Sequence, residues 1–132
     1  MLVENKFEDL IFWQKARELA RNILMATREP SFKHNFELGA QIERYAMSIM
    51  ADIAEGSSCD QRQDYENFLY SAIGAASGFQ SYLYLALDLR CITQSQFEDY
   101  YGRVVEIVHL IDSYAARLQE GRRPSPRHHK PS

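Results

Sequence analysis

A chain of 132 residues, 45% hydrophobic and 25% charged, is long enough to bury one core without disulfide or metal staples, and its composition excludes a collagenous or wholly disordered polymer. The formal net charge of −3 conceals a split: residues 1–120 hold 11 Lys or Arg against 18 Asp or Glu, whereas residues 121–132 hold Arg122, Arg123, Arg127 and Lys130 and no acid. An acidic body repels phosphate, so nucleic acid would have to be met by that tail or by a local basic patch.

Met1 to Lys6 carries one acid and one base and then runs into an amphipathic segment, so no secretory leader is expected and a cytoplasmic address follows. Cys59 and Cys91 stand in no metal-binding or redox spacing and are expected to be reduced thiols.

The first predicted helix covers residues 7–27, with Leu10, Trp13, Ala16, Ala20, Ile23 and Leu24 recurring at three- and four-residue steps and Pro30 closing it. The second covers residues 36–55, with Gly56 at the place where a left-handed C-terminal residue is wanted. Asp60 and Gln63 have the form of a capping box, so a third helix is expected to begin there and run to about residue 90. Thr93 with Gln96, or Ser95 with Glu98, repeats the signal before a fourth helix over residues 94–119, whose Phe97, Tyr101, Val104, Val108, Ile111 and Leu118 face inward.

Four helices of about 30 Å, joined by short loops, predict an all-α, antiparallel up-down-up-down four-helix bundle over residues 1–120. Residues 121–132, with three prolines and no large apolar side chain, are expected to be a disordered basic tail.

Two features stand out within this frame. On the second helix Gln41, Arg44, Ser48, Asp52 and Glu55 fall within a sector of about 80°, beside an apolar stripe of Leu38, Ile42, Tyr45, Ile49 and Ile53. Such a polar seam either fastens a bundle through side-chain hydrogen bonds or presents a site. The expectation is a structural seam, buried between helices.

The third helix holds the other feature, twenty-one uncharged residues between Glu66 and Asp88 that include Gly74 and Gly78. Length alone would admit a membrane span, but Asn67, Ser71, Ser77, Gln80 and Ser81 dilute the run. A helix apolar on more than one side must be covered by something other than water. Tyr70, Tyr82, Tyr84 and Leu87 are therefore the candidate oligomer surface, with Ser71, Gly74, Ala75 and Gly78 small enough for close helix approach.

Candidate chemistry is thin. Glu106 and His109 form one Glu-x-x-His step, half of a di-iron bundle pattern, and no second pair exists. Ser48 with His34 or His109 lacks a nucleophile elbow. Glycine-rich phosphate loops, zinc-ligand spacings and dinucleotide fingerprints are absent from the sequence. No catalytic residue, metal ligand or cofactor is assigned, and no enzyme activity is expected. The tail's Arg122, Arg123, Arg127 and Lys130, with Lys15, Arg17 and Arg21, are the candidate nucleic-acid contacts, whose affinity would fall steeply with salt.

The run from Gln41 to Ile49 followed by Asp52-Ile-Ala-Glu-Gly56 resembles the 23S rRNA intervening-sequence protein family, and supporting matches occur at Leu10, Trp13, Gln14, Lys15, Ala16, Phe68, Leu69, Ala72 and Gly74 and from Leu87 to Leu89. The likeness covers about residues 7–118. It implies a small bacterial four-helix bundle without established enzymatic activity. Relatives look like ring-shaped pentamers and are similar to the accessory protein of diversity-generating retroelements, which binds a reverse transcriptase and nucleic acid through a basic surface. The chain departs from the family where Glu43 and Arg44 replace two adjacent basic residues, Asp52 an asparagine, and Ala75 and Gly78 a serine and a glutamate. The third helix and the resemblance together lead to the expectation of a non-enzymatic homo-oligomeric scaffold, pentameric by analogy with the family, with an RNA- or DNA-binding accessory role as the alternative.

Overall fold

A computed structural model describes residues 6–121. Four α-helices follow in order: α1 (Ile11–Ala26), α2 (Phe36–Ser57), α3 (Arg62–Asp88) and α4 (Gln94–Gln119). Each packs against its neighbours in the chain, and α1 meets α4, which closes the square of an antiparallel up-down-up-down bundle. Among the described residues no strand occurs, and none of their helices is long and apolar enough to cross a membrane.

The core is built from one stripe per helix. Phe12, Ala16, Leu19, Ile23 of α1, Ile42, Ala46, Ile49, Ile53 of α2, Leu69, Ala72, Ala76, Phe79, Leu83 of α3 and Val104, Ile107, Ile111 of α4 are all buried. No polar or charged residue is buried among the described residues. Tyr65 and Tyr114, with ring centroids 5.7 Å apart, fill the end of the bundle where α2 passes into α3.

The helix boundaries depart from expectation where local packing overrides sequence signals. Residues 7–9 form a separate 3-10 turn, because Leu10 is extended and drops its side chain into the core before α1 begins. Pro30 starts a second 3-10 turn (Pro30–Phe32) that inserts Phe32 into the core. Ser31 Oγ then donates to the Cys91 carbonyl at 2.7 Å, tying together the two loops at that end.

Gly56 is not the left-handed cap that its position suggested. It lies inside the last turn of α2, which ends at Ser57, and a Cβ there would stand 2.8 Å from Phe68 Cβ and 3.0 Å from Tyr65 Cδ1. Glycine is needed for the approach of α3, not for its backbone freedom.

The capping box expected at Asp60 does not form either: α3 starts at Arg62 after a Gln61 that makes no side-chain cap. At α4 the box is built from Thr93 and Gln96, with both reciprocal hydrogen bonds present at 3.1 and 2.8 Å. The end of α3 uses a left-handed Arg90 (φ 63°), with Cys91 N–H donating to the Ala86 carbonyl and Arg90 N–H to that of Leu87. This is the Schellman arrangement, formed here without glycine. Cys59 and Cys91 are both free thiols. They lie at opposite ends of α3, about 40 Å apart for a helix of 27 residues.

Candidate interaction surface

The α2–α3 side of the square carries both features singled out in the sequence. The α2 row lies along the outward edge that borders α3. Contrary to expectation it is not enclosed: Arg44 and Glu55 are exposed, and Gln41, Ser48 and Asp52 are half-buried. The reason is geometric. In a square bundle a helix covers only its inward face and two flanks, so a row beside the apolar stripe falls on the rim.

Among the described residues the row makes one side-chain hydrogen bond, from Ser71 Oγ of α3 to Asp52 Oδ2 at 2.9 Å. On the opposite flank of α2, Thr27 Oγ1 donates to Glu43 Oε2, fastening the end of α1.

Across the rim, the two small positions of α3 behave differently. Tyr45 covers Gly78 so closely that a Cβ there would lie 2.5 Å from the ring, and the Tyr45 and Tyr82 rings meet at 5.7 Å. Gly78 therefore serves packing within the chain. Gly74 faces open space, with nothing within 4 Å of an added Cβ.

The four residues expected on the oligomer surface divide in the same way. Tyr70 and Tyr84 are 47% and 52% exposed, whereas Tyr82 and Leu87 are half-buried. Tyr70 Oη accepts from Gln119 Nε2 at 2.8 Å. Tyr84 leans against Phe97 and Tyr101 of α4 at 4.9 and 5.9 Å. The hydrogen bond and repulsion from Tyr101 hold its phenol above the usual tyrosine range. Phe97 and Tyr101 are thus half-buried on this flank instead of lying fully inside.

Exposed apolar residues that sequence reasoning missed sit mostly at the end of the bundle formed by the start of α2 and the close of α3. Phe36 is 75% exposed, and Leu85 and Leu89 are also exposed. Leu85 and Tyr82 line a groove with Glu37, Ala40 and Gln41. The terminal position of Phe36 on α2, outside the apolar stripe, was the available signal.

The α1–α4 side is different in kind. Lys15 Nζ lies 3.4 Å from Glu106, and Arg103 bridges Glu18 and Asp99 at 3.5 and 3.1 Å. Arg17 is exposed with its guanidinium 5.8 Å from the Trp13 ring centroid, and Arg21 is exposed. Neither makes an ion pair among the described residues. Glu106 points to Lys15, and His109 is exposed. Among the described residues no group of three or more His, Cys, Asp or Glu is placed to hold a metal. Arg122, Arg123, Arg127 and Lys130 lie outside the described residues.

Comparison with known proteins agrees with this architecture. A crystal structure of a protein of unknown function from the S23 ribosomal protein family of Bacteroides thetaiotaomicron superposes with a TM-score of 0.72 at 26% identity, covering 79% of this chain and 97% of that one. No curated protein sequence matches the chain. The family model described as 23S rRNA-intervening sequence protein matches residues 8–113, so the chain belongs to that family.

Proposed function

We propose that this protein is a non-enzymatic homo-oligomeric scaffold of the cytoplasm, assembled through the outward face of α3 and the adjoining rim of α2. The observation that carries the reading is the contrast between charge and exposure on α3. Residues 67–87 contain no charge, although Tyr70, Gly74, Ser77, Ser81, Tyr84 and Leu85 all face outward. An uncharged helix face that exposes Tyr70, Tyr84 and Leu85 among small residues favours burial against a partner, and small residues flanked by tyrosines suit a second helix. Ring closure at five subunits is the arrangement favoured by family analogy.

Gly74→Arg tests this directly. In the single chain a Cβ added at Gly74 has nothing within 4 Å, and removal of a helical glycine favours the helix by about 1 kcal/mol. The folded monomer should keep or raise its melting temperature while sedimentation velocity shows the assembly falling apart. A wild-type protein that sediments as a monomer at micromolar concentration refutes the reading.

A second reading, an RNA- or DNA-binding accessory, is favoured by α1. Its acidic neighbours Glu18 and Glu106 are taken by Arg103 and Lys15, which leaves Arg17 and Arg21 exposed without a carboxylate among the described residues. Binding of single-stranded RNA should weaken steeply with salt, and should fall on Arg17→Ala, Arg21→Ala substitution or on removal of residues 122–132.

A further inference from the structure

A ring needs two different faces on each copy, because one face paired with itself makes a two-fold contact and stops there. The uncharged side of α3 is one such face, and its counterpart has to be uncharged as well. The outward sides of α1 and α4 do not qualify, since Arg17, Glu18, Arg21, Glu98, Glu106 and Asp112 are exposed on them.

The outward side of α2 does qualify. Phe36, Ala40, Met47, Ala51 and Ala54 fall within about 60° of one another, away from the buried stripe, and no charged residue of α2 shares that sector. Its two large side chains, Phe36 and Met47, are 75% and 43% exposed. Glu43 and Arg44 stand on its two borders, and Glu43 is taken by the Thr27 hydroxyl.

The two faces also match in height. Tyr45 covers Gly78 and Ser71 donates to Asp52, which fixes how the antiparallel helices run past each other. On that scale Met47 is level with Gly74 and Ser77, the low part of the α3 face, whereas Ala40 is level with Tyr84 and Ala54 with Tyr70, its bulky parts. A ring whose axis runs along the helices keeps every height unchanged from copy to copy, so a large side chain meets a small one at each of these levels.

Charge points to the same partner. Asp88, exposed at the close of the uncharged run, is level with the start of α2, just after the exposed Lys33 and His34. Between residues 67 and 87 the α3 face offers no cation, so a phosphate backbone has nothing to hold there.

We propose, building on the oligomeric reading above, that the outward face of α3 in one copy packs against the outward face of α2 in the next, with Met47 seated over Gly74 and Ser77. Each copy gives α3 to one neighbour and α2 to the other. Such a head-to-tail contact can close at any number of subunits, five included, and it leaves the charged faces of α1 and α4 to solvent.

The test is cysteine pairing in the full chain carrying Cys59→Ser, with the buried Cys91 left in place. Chains with Met47→Cys and Ser77→Cys, told apart by a tag and co-expressed, should give on mild oxidation one covalent species that joins the two different chains. Neither chain expressed alone should link to itself. Met47→Cys co-expressed with Asn67→Cys should give no link, because Asn67 lies about 15 Å along α3 from Ser77. A chain carrying both Met47→Cys and Ser77→Cys should give a ladder of covalent species whose last rung counts the subunits. All three positions are exposed, so the variants should keep the wild-type helical circular dichroism. If the wild-type chain assembles but the mixed chains do not link, if Met47→Cys links to itself, or if Asn67→Cys links equally well, the pairing of faces is wrong. If the wild-type chain sediments as a monomer at micromolar concentration, the oligomeric reading falls first.

Discussion

Two sides of one square bundle have solved the problem of solvent in opposite ways. The α1–α4 side carries Lys15–Glu106 and the Glu18–Arg103–Asp99 cluster, partly exposed ion pairs that water and salt screen. The α2–α3 side has glycines under aromatic rings, a serine–aspartate hydrogen bond, and a long helix without charge. The comparison teaches that α3, the helix packed most extensively against a neighbour, also presents an outward face without charge.

The largest expected effect comes from breaking the close approach of α2 and α3. Gly56→Val would set side-chain carbons against Phe68 Cβ, Tyr65 Cδ1 and the Tyr65 carbonyl, the last a backbone atom that cannot swing aside. A loss of about 3 kcal/mol is expected, typical of strong overpacking, and urea unfolding of the monomeric form measures it. A loss below about 0.5 kcal/mol would mean that the two helices part easily and that the tight side is not tight.

A smaller effect of opposite sign is expected at the close of α3. Arg90 holds a left-handed conformation that costs a non-glycine residue roughly 1 kcal/mol. Arg90→Gly should recover up to about that amount, less the added freedom of the unfolded chain, as a rise in the thermal midpoint. The two glycine substitutions sharpen one another: Gly56 is needed for space inside a helix, and Arg90 occupies a place where glycine's backbone freedom would help.

The smallest effect belongs to the charged side. A double-mutant cycle on Lys15→Ala and Glu106→Ala should give a coupling of about 0.2–1 kcal/mol, shrinking in molar salt. A coupling of several kcal/mol, insensitive to salt, would show this side to be desolvated and would erase the contrast with α2–α3.

Much of this was legible beforehand, and the exceptions have identifiable causes. Leu38, Ile42, Ile49 and Ile53 announce the buried stripe of α2 because a helical period depends only on the local chain. Thr93 and Gln96 announce the start of α4 for the same reason. Asp60 and Gln63 carried an equally good local signal, yet the tight turn into α3 set the boundary at Arg62 instead. The row from Gln41 to Glu55 was recognised as one face of α2, but whether that face is covered depends on where α1 and α3 stand, which a helical wheel does not contain.

The sequence by itself determined the number of helices, the residues of each buried stripe and the uncharged character of α3, because periodicity and composition are properties of the local chain. Only the tertiary structure decided that Gly56 and Gly78 serve contacts within the chain while Gly74 stays open, and that Arg44 and Glu55 reach the exposed rim. Those facts depend on distances between segments far apart in the chain, and such distances exist only after the helices have packed.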